Sequence, residues 1–227
     1  MQEHIWEKEY RDPKLVSLSL EPLSSVKDFV RFLRKARKEV GLEMSNLNIL
    51  DLGCGNAKNS FYISEQGFDN KVTGVDISET ALKYAKELAP HGNFIKGNIG
   101  DTLPFPDHSF DIILDITSSN SLSEKERGVY LKEIERVLKT NGYFFLRTLC
   151  KDGDKNAQTL LSTHPGPDKD TYIMPDIGLT ERVFSREDLI ASYSHLGEPR
   201  YLDKETHYTK FNGKSYKRNF WVGVWGN

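Results

Sequence analysis

A glycine turn that follows a hydrophobic stretch is the segment of the chain with the clearest chemical meaning. Residues 49–56 have the sequence ILDLGCGN, with Asp51 near the end of the apolar run and Gly53 and Gly55 in the turn. The two glycines permit a sharp turn and let a ligand approach the backbone without obstruction by a Cβ atom. The Asp51 carboxylate can accept a hydrogen bond from a cationic amine. The turn therefore predicts a binding site for a ligand that carries an amino group.

A second acid, Asp76, ends the next hydrophobic stretch, VTGVD at residues 72–76. A carboxylate at that place in a strand–helix–strand unit can hold both hydroxyls of an adenosine ribose. The glycine turn and Asp76 together predict a nucleoside site. Position 58 is lysine, where a dinucleotide site would have a third glycine, and the chain has no phosphate-binding P-loop motif. An acid beside the turn also repels phosphate, so the pattern favours the amino group of a methionine moiety over a pyrophosphate.

Strand-like and helix-like segments alternate over residues 47–150, which predicts a parallel sheet flanked by helices. The predicted strands are residues 47–52, 71–76, 93–96, 109–116 and 143–149. The predicted helices are residues 56–66, a helix capped by Ser78 that runs to about residue 89, and a helix that a Ser123–Glu126 capping box opens and Asn141-Gly142 ends.

The segment after Cys150 differs in composition from the preceding core. Residues 151–180 are rich in Asp, Gly and Pro, which predicts either a lid or a mobile loop with a helical turn near residues 157–161. Ser185 and Asp188 predict another helix start. Residues 200–210 and 216–225 predict a β-hairpin around Asn212-Gly213. We expect one domain over residues 1–227, with an N-terminal cap segment and helix (1–45), a cofactor-binding core (46–150) and the lid loop, helix and hairpin (151–227).

The composition is that of an ordinary globular protein of 227 residues with a formal net charge of −2. This charge does not suggest a nucleic-acid partner. The basic run at residues 27–38 predicts the solvated face of an amphipathic helix, whose apolar residues are Val26, Phe29, Val30, Leu33 and Val40.

Cys54 and Cys150 have no disulfide or zinc spacing, and no stretch suits a signal peptide or a membrane span. We therefore expect a cytoplasmic protein without a metal centre.

The ordered set of motifs resembles class I S-adenosylmethionine-dependent methyltransferases. The motifs are DLGCG at 51–55, DIS at 76–78, LPFP at 103–106 before SFD at 109–111, and VLKTNGY at 137–143. The resemblance implies an α/β fold, a Rossmann-like three-layer sandwich with a mostly parallel seven-stranded sheet and an antiparallel C-terminal strand. It also implies S-adenosylmethionine as cofactor.

The same resemblance implies a set of site residues. Asn98 would border the adenine and accept from its amino group. Asp115, at the end of the fourth strand, would line the methyl-transfer site and could act as a catalytic base, or it could only cap the loop after its strand. The residues implied to bind the cofactor are Asp51, Gly53, Cys54, Gly55, Asn59, Asp76, Ile77, Asn98 and Ile99.

A narrower resemblance covers residues 53–62, GCGNAKNSFY, and the tail HYTKFNG at 207–213 with Lys217 and Phe220. These segments are similar to the tellurite-resistance and thiopurine-type branch of small-molecule methyltransferases. The branch has arginines where this chain has Tyr208 and Ser215. His207 could serve as a catalytic base or be a surface hairpin residue. Trp6 and Tyr10 could cover the acceptor pocket or only pack the N-terminal segment onto the core.

These features predict methyl transfer to a small-molecule acceptor, a thiol, a chalcogen or an amine. One alternative is a methyltransferase that acts on RNA or protein, with the basic helix and residues 204–218 as a docking surface. Another is a module that binds S-adenosylmethionine without catalysis.

Overall fold

The protein is an α/β fold built on a central seven-stranded sheet; the structure is a computed structural model that describes residues 2–211 and 214–226. The strands are β1 Asn48–Leu52, β2 Lys71–Asp76, β3 Asn93–Lys96, β4 Phe110–Ile116, β5 Leu138–Leu149, β6 Thr171–Ile173, β7 Thr180–Arg182, β8 Tyr201–Phe211 and β9 Lys214–Gly226. The helices are α1 Glu3–Arg11, α2 Ser24–Glu39, α3 Lys58–Ser64, α4 Glu79–Leu88, α5 Glu124–Val137, α6 Lys155–Thr163 and α7 Arg186–Ser192.

The strand order of the sheet is β3-β2-β1-β4-β5-β9-β8. Strands β1 to β5 are parallel, β9 runs antiparallel to β5, and β8 runs antiparallel to β9. This arrangement confirms the predicted Rossmann-like sheet with its antiparallel C-terminal strand. Strand β1 lies between β2 and β4, so the connections on its two sides leave in opposite directions. The crevice at the carboxyl ends of β1 and β4 is the place where such sheets bind ligands.

The predicted helix starts are confirmed by their hydrogen bonds. Ser78 Oγ accepts from Ala81 N at 3.1 Å, and Ser185 Oγ accepts from Asp188 N at 3.2 Å. Ser123 and Glu126 form the reciprocal capping box at the start of α5. These short polar signals set the helix ends locally, because the side chain satisfies an N–H group that the helix cannot.

The end of α5 differs from the prediction. The helix stops at Val137 and the chain enters β5 directly at Leu138, so Asn141-Gly142 lies within the strand instead of ending the helix. The pairing of β4 with β5 shifts between Phe110 and Ile112. A Cβ atom at Gly142 would lie 2.9 Å from the carbonyl oxygen of Lys139, so glycine is required by this irregular pairing.

The predicted amphipathic helix is confirmed as α2, with Val26, Phe29, Val30 and Leu33 buried. Val40 lies beyond the end of α2 and is 69% exposed, so its placement on the apolar face was wrong. Its backbone N–H closes the last turn, and the chain then leaves the core surface through Gly41, which has a positive φ.

Residues 151–180 contain regular secondary structure, and the helical turn predicted near residues 157–161 is confirmed. They form α6, whose start is capped by Asp154, and the strand β6, which pairs with β7. Four buried residues of the segment form an apolar cluster with residues outside it. The cluster contains Ala157, Tyr172, Met174 and Leu179 from the segment, together with Leu149, Val183 and Phe220. The two predicted hairpin strands are confirmed as β8 and β9, whereas the predicted turn residues Asn212 and Gly213 lie outside the described residues. Among the described helices, none has the length and apolar character to cross a membrane.

Candidate functional site

A cavity of about 810 Å³ opens at the carboxyl ends of β1, β2, β4 and β5. The glycine turn forms its floor, with Gly53 at φ +71° and Gly55 at φ +55°. The backbone N–H groups of Gly53 and Cys54 both donate to the carbonyl oxygen of Val75, at 2.8 and 3.0 Å. The turn is therefore held against β2, where its exposed backbone edge lines the cavity.

Asp76 ties the glycine turn to the start of the next helix. Its Oδ2 accepts from Gly55 N at 2.8 Å and its Oδ1 accepts from Ser78 N at 2.9 Å. Burial raises the pKa of Asp76 above its usual range, although these backbone hydrogen bonds oppose the rise. The carboxylate still lines the cavity, and each oxygen has a second lone pair for a ligand.

Asp51 is a buried acid that also lines the cavity. Burial raises the pKa of Asp51 to about 7; the hydrogen bond from Ser60 Oγ at 2.6 Å lowers it, and the nearby Asp76 and Asp115 raise it further. No described residue forms an ion pair with Asp51 or Asp76. Buried acids without a cation complement a positively charged ligand, because such a ligand removes their mutual repulsion.

Cys54 lines the cavity at the glycine turn but has a structural environment. Its Sγ lies 2.7 Å from where a Cβ atom of Gly74 would stand, so the thiol fills the space above β2. Burial raises the pKa of Cys54 well above its usual range, and Asp76 and Asp51 add to the rise. The thiol is therefore not poised as a nucleophile.

Ile77, Asn98 and Ile99 line the end of the cavity beyond Asp76. Asn98 uses both ends of its amide: Oδ1 accepts from Gly100 N at 3.0 Å, and Nδ2 donates to Glu126 Oε1 at 3.0 Å. Glu126 also lines the cavity, and the sequence analysis identified it only as part of the capping box. Asn59 lines the opposite side, where its Oδ1 accepts from Leu23 N at 3.0 Å.

Helix α1 covers the cavity and brings Trp6 and Tyr10 to its lining. The Tyr10 hydroxyl lies 2.5 Å from where a Cβ atom of Gly55 would stand, so this side chain faces the glycine turn. Trp6 both lines the cavity and packs against the apolar cluster of residues 149–220. Trp6 therefore packs onto the core and also lines the cavity, and its role over the acceptor stays a prediction.

Asp115 is fully buried and does not line the cavity. It accepts hydrogen bonds from Ser118 Oγ at 2.7 Å, from the backbone N–H groups of Ser118 and Ser119, and from the Tyr130 hydroxyl. The Asp115 carboxylate is therefore already engaged by donors of the protein, and its assignment as a catalytic residue stays a prediction. Its neighbours Thr117 and Ser118 line the cavity instead, and Thr117 has φ +58°, a strained conformation for a β-branched residue.

The other end of the cavity, which we call the acceptor end, is formed by Arg147, Leu149, His207, Arg218 and Phe220. His207 Nε2 lies 2.8 Å from Glu205 Oε1, and the His207 ring lies 6.2 Å from the Phe220 ring. His207 was predicted from the tail motif, whereas neither arginine was predicted. The sequence shows that Arg147 and Arg218 each lie in a predicted strand. It does not show that β5 pairs with β9, and this pairing brings the two arginines to one face.

Within the described residues, no group of three or more His, Cys, Asp and Glu side chains could hold a metal ion. The cavity lining has two parts: the part around the glycine turn with Asp51 and Asp76, which we call the cofactor half, and the acceptor end, which is of mixed polarity.

A comparison with known families gives this geometry its context. The family model described as a methyltransferase domain matches residues 43–178. The chain belongs to this methyltransferase domain family. The matched range contains β1 to β5, the glycine turn and Asp76, and the cofactor of the domain is S-adenosylmethionine. The buried acids without a cationic partner fit that cation.

One curated relative and two solved structures show the range of similar proteins. The phthiotriol/phenolphthiotriol dimycocerosates methyltransferase of Mycobacterium tuberculosis is 28% identical over 110 residues, which cover 48% of this chain and 40% of that relative. A SAM-dependent methyltransferase from Methanosarcina mazei has a TM-score of 0.67 at 23% identity, covering 82% of this chain and 95% of that one. The 1,6-didemethyltoxoflavin-N1-methyltransferase of Burkholderia thailandensis, with bound 1,6-didemethyltoxoflavin and S-adenosylhomocysteine, has a TM-score of 0.63 at 15% identity, covering 99% and 87%.

Proposed function

We propose that the protein transfers the methyl group of S-adenosylmethionine to a small molecule held at the acceptor end. The observation that carries this proposal is the continuity of one cavity, in which the glycine turn and the acceptor end share about 810 Å³. A volume of this size suits a cofactor together with a small acceptor. The tellurite-resistance and thiopurine-type resemblance supports a soft acceptor, a thiol or a chalcogen, with an amine as the further possibility.

The cofactor-binding residues follow from their places in the cavity. Asp51 would accept from the amino group of the methionine moiety, and Asp76 would accept from the ribose hydroxyls. The remaining residues would contact the adenine or the backbone of the cofactor's amino-acid part; they are Gly53, Cys54, Gly55, Asn59, Ile77, Asn98, Ile99 and, newly, Glu126.

The bound cofactor supplies an already activated sulfonium methyl group, so the protein has mainly to align the acceptor and exclude water. Trp6 and Tyr10 would exclude water from above, and Leu149 and Phe220 would hold the acceptor from below. His207 would take a proton from an acceptor that carries one. Its Nε2 is bound to Glu205, so Nδ1 is the ring nitrogen left for that proton.

The test is a screen of small thiols, amines and metalloid oxyanions with S-adenosylmethionine, followed by detection of S-adenosylhomocysteine. We expect turnover with at least one class and none without acceptor. Tight binding of S-adenosylhomocysteine with no product across the panel would support a non-catalytic binding module. His207→Ala should then lower turnover on the identified acceptor by about 100-fold while S-adenosylmethionine affinity stays unchanged.

A further inference from the structure

Two arginine side chains from neighbouring strands reach the acceptor end of the cavity. Arg147 lies on β5 and Arg218 on β9, and the side chain of each is only 7% exposed. Leu149 pairs with Phe220 in the sheet, and side chains alternate between faces, so all four residues lie on the same face. Two buried positive charges at one wall of a cavity call for an explanation in terms of what binds there.

The guanidinium group of Arg147 is held rigidly but is only partly bonded. Its Nε donates to Glu205 Oε2 at 2.8 Å, and its Cζ lies over the Phe220 ring, 3.5 Å from the ring centroid. The bond from Nε is the only hydrogen bond of this guanidinium among the described residues, so neither Nη atom has a partner there. A buried guanidinium has five N–H donors that are normally satisfied, so the free Nη edge points to a ligand.

Arg218 is also incompletely bonded. Its Nη2 donates to the Tyr172 hydroxyl at 2.7 Å, whereas its buried Nε has no hydrogen-bond partner in the described part of the chain. The nearest carboxylate oxygen, Asp154 Oδ2, is 3.7 Å away and already accepts from Asn219 N.

The carboxylates near this wall are engaged elsewhere. Glu205 accepts from Arg147, Ser24 and His207. Glu181 accepts from the Tyr172 hydroxyl at 2.6 Å and from Asn120 Nδ2 at 3.2 Å. No described carboxylate therefore meets the Nη edge of Arg147.

We infer that the Nη edge of Arg147, assisted by Arg218, binds a carboxylate on the methyl acceptor. The acceptor would then be a small carboxylate with an apolar body that contacts Leu149 and Phe220. A planar guanidinium fork matches the two oxygens of a carboxylate, and both partners are held rigid before binding. This inference rests on the proposed function, because it assigns chemistry to the acceptor end of the same cavity. The same carboxylate chemistry could come from the methionine moiety of the cofactor, and the experiment separates the two sources.

The test measures binding of phenylacetate and of the neutral phenylacetamide to the full chain saturated with S-adenosylhomocysteine, by calorimetry. We expect phenylacetate to bind at least about tenfold more tightly than phenylacetamide. Arg147→Met should abolish this preference, and Arg147→Lys should retain part of it, because lysine keeps the charge but not the fork. Lys204→Met is the matched control: Lys204 lies next to Glu205 on β8, stands over the Trp221 ring and does not line the cavity.

Arg147→Met also leaves Glu205 without its arginine, so the double variant Arg147→Met/Glu205→Gln provides a folded alternative if the single variant is unstable. Equal binding of the two probes to the wild-type chain would overturn the inference. So would a loss of S-adenosylhomocysteine affinity in the Arg147 variants with unchanged affinity for 5′-methylthioadenosine, which lacks the amino-acid part. If the protein methylates a neutral acceptor and binds phenylacetate no more tightly than phenylacetamide, only the carboxylate site is refuted. The proposed function then stays intact.

Discussion

The buried carboxylate of Asp51, which we propose binds the cofactor, carries a cost to folding. Burial and the neighbouring acids raise the pKa of Asp51 to about 7 in the folded protein, against 3.8 as the ordinary value. An acid with a raised folded pKa stabilises the fold most at low pH, and that contribution is lost as the pH rises toward 7. The free protein at pH 8 therefore holds a charge that favours unfolding until a cationic ligand binds.

The variant Asp51→Asn tests both the stability cost of this buried charge and its part in cofactor binding. We expect the thermal midpoint of the free variant at pH 8 to exceed that of the wild type, because the amide removes the buried charge and still accepts from Ser60. The difference should shrink as the pH falls from 7 toward 4. Calorimetry should show S-adenosylmethionine affinity at least about tenfold lower. A variant with lower stability at pH 8 and unchanged affinity would contradict both roles.

Asp76→Ala addresses the ribose assignment. We expect cofactor binding to weaken by about 1.5 to 3 kcal/mol, because two hydroxyls lose a charged acceptor. Asp101→Ala is the control, since Asp101 is an exposed acid that does not line the cavity. Unchanged affinity in a folded Asp76→Ala variant, measured by calorimetry, would remove Asp76 from the ribose site.

At this scale, the acids and glycines were predictable because one short motif contains both the turn and its carboxylate. The structural reason why position 53 requires glycine could not be predicted. A Cβ atom there would lie 2.3 Å from Ser118 Cβ, which belongs to a different strand–loop unit. Arg147 and Arg218 were missed for a related reason. They come together only through the β5–β9 pairing, which no local pattern specifies.

At the scale of elements, α1 rather than residues 151–180 covers the cofactor half of the cavity. Gln2 donates to the carbonyl oxygens of Ser121 and Thr180 at one end of α1. Glu7 accepts from Ser78 Oγ at 2.7 Å and from Thr80 Oγ1 at 2.6 Å in the middle of the helix. Although burial opposes ionisation, these hydrogen bonds lower the pKa of Glu7 to about 2, so the contact is charged at neutral pH.

Glu7→Gln should loosen this cover. We expect faster limited proteolysis near α1 and faster dissociation of S-adenosylhomocysteine by stopped-flow fluorescence, because neutral acceptors bind the Ser78 and Thr80 donors less strongly. Glu3→Gln is the control: it removes only the exposed ion pair with Lys96, which contributes little. Equal proteolysis and release in the two variants would mean that Glu7 does not hold α1 closed.

The elements that sequence patterns predicted correctly are those whose signals are local, such as the capped helices α4, α5 and α7. Strands β6 and β7 were missed because each has three residues and depends on Tyr172 packing into a cluster with residues from β5 and β9. Tertiary packing, which composition does not reveal, orders this Gly- and Pro-containing segment.

At the scale of the whole molecule, the charged side chains of the cavity and the basic side chains of α2 lie in different parts of the protein. The cavity places Asp51 and Asp76 at the cofactor half and two arginines at the acceptor end, whereas α2 carries its basic side chains outside. Two of these basic side chains already have partners, since Arg31 donates to Asp28 and Arg34 donates to Gln66. This pattern suits a solvated helix face better than a docking surface for a polyanion.

The salt dependence of turnover distinguishes a small acceptor from a macromolecular one. For a small acceptor bound inside the cavity, we expect kcat/KM to change less than about threefold between 50 and 200 mM salt, since few exposed charges take part. The double variant Lys35→Glu/Lys38→Glu should behave like the wild type, because both side chains lie on α2 and neither lines the cavity. RNA docking on α2 would instead give a fall of tenfold or more with salt, because each neutralised phosphate releases counterions, and the double variant would lose activity in low salt. That result, measured on the acceptor that supports turnover, would move the acceptor from the cavity to the helix surface.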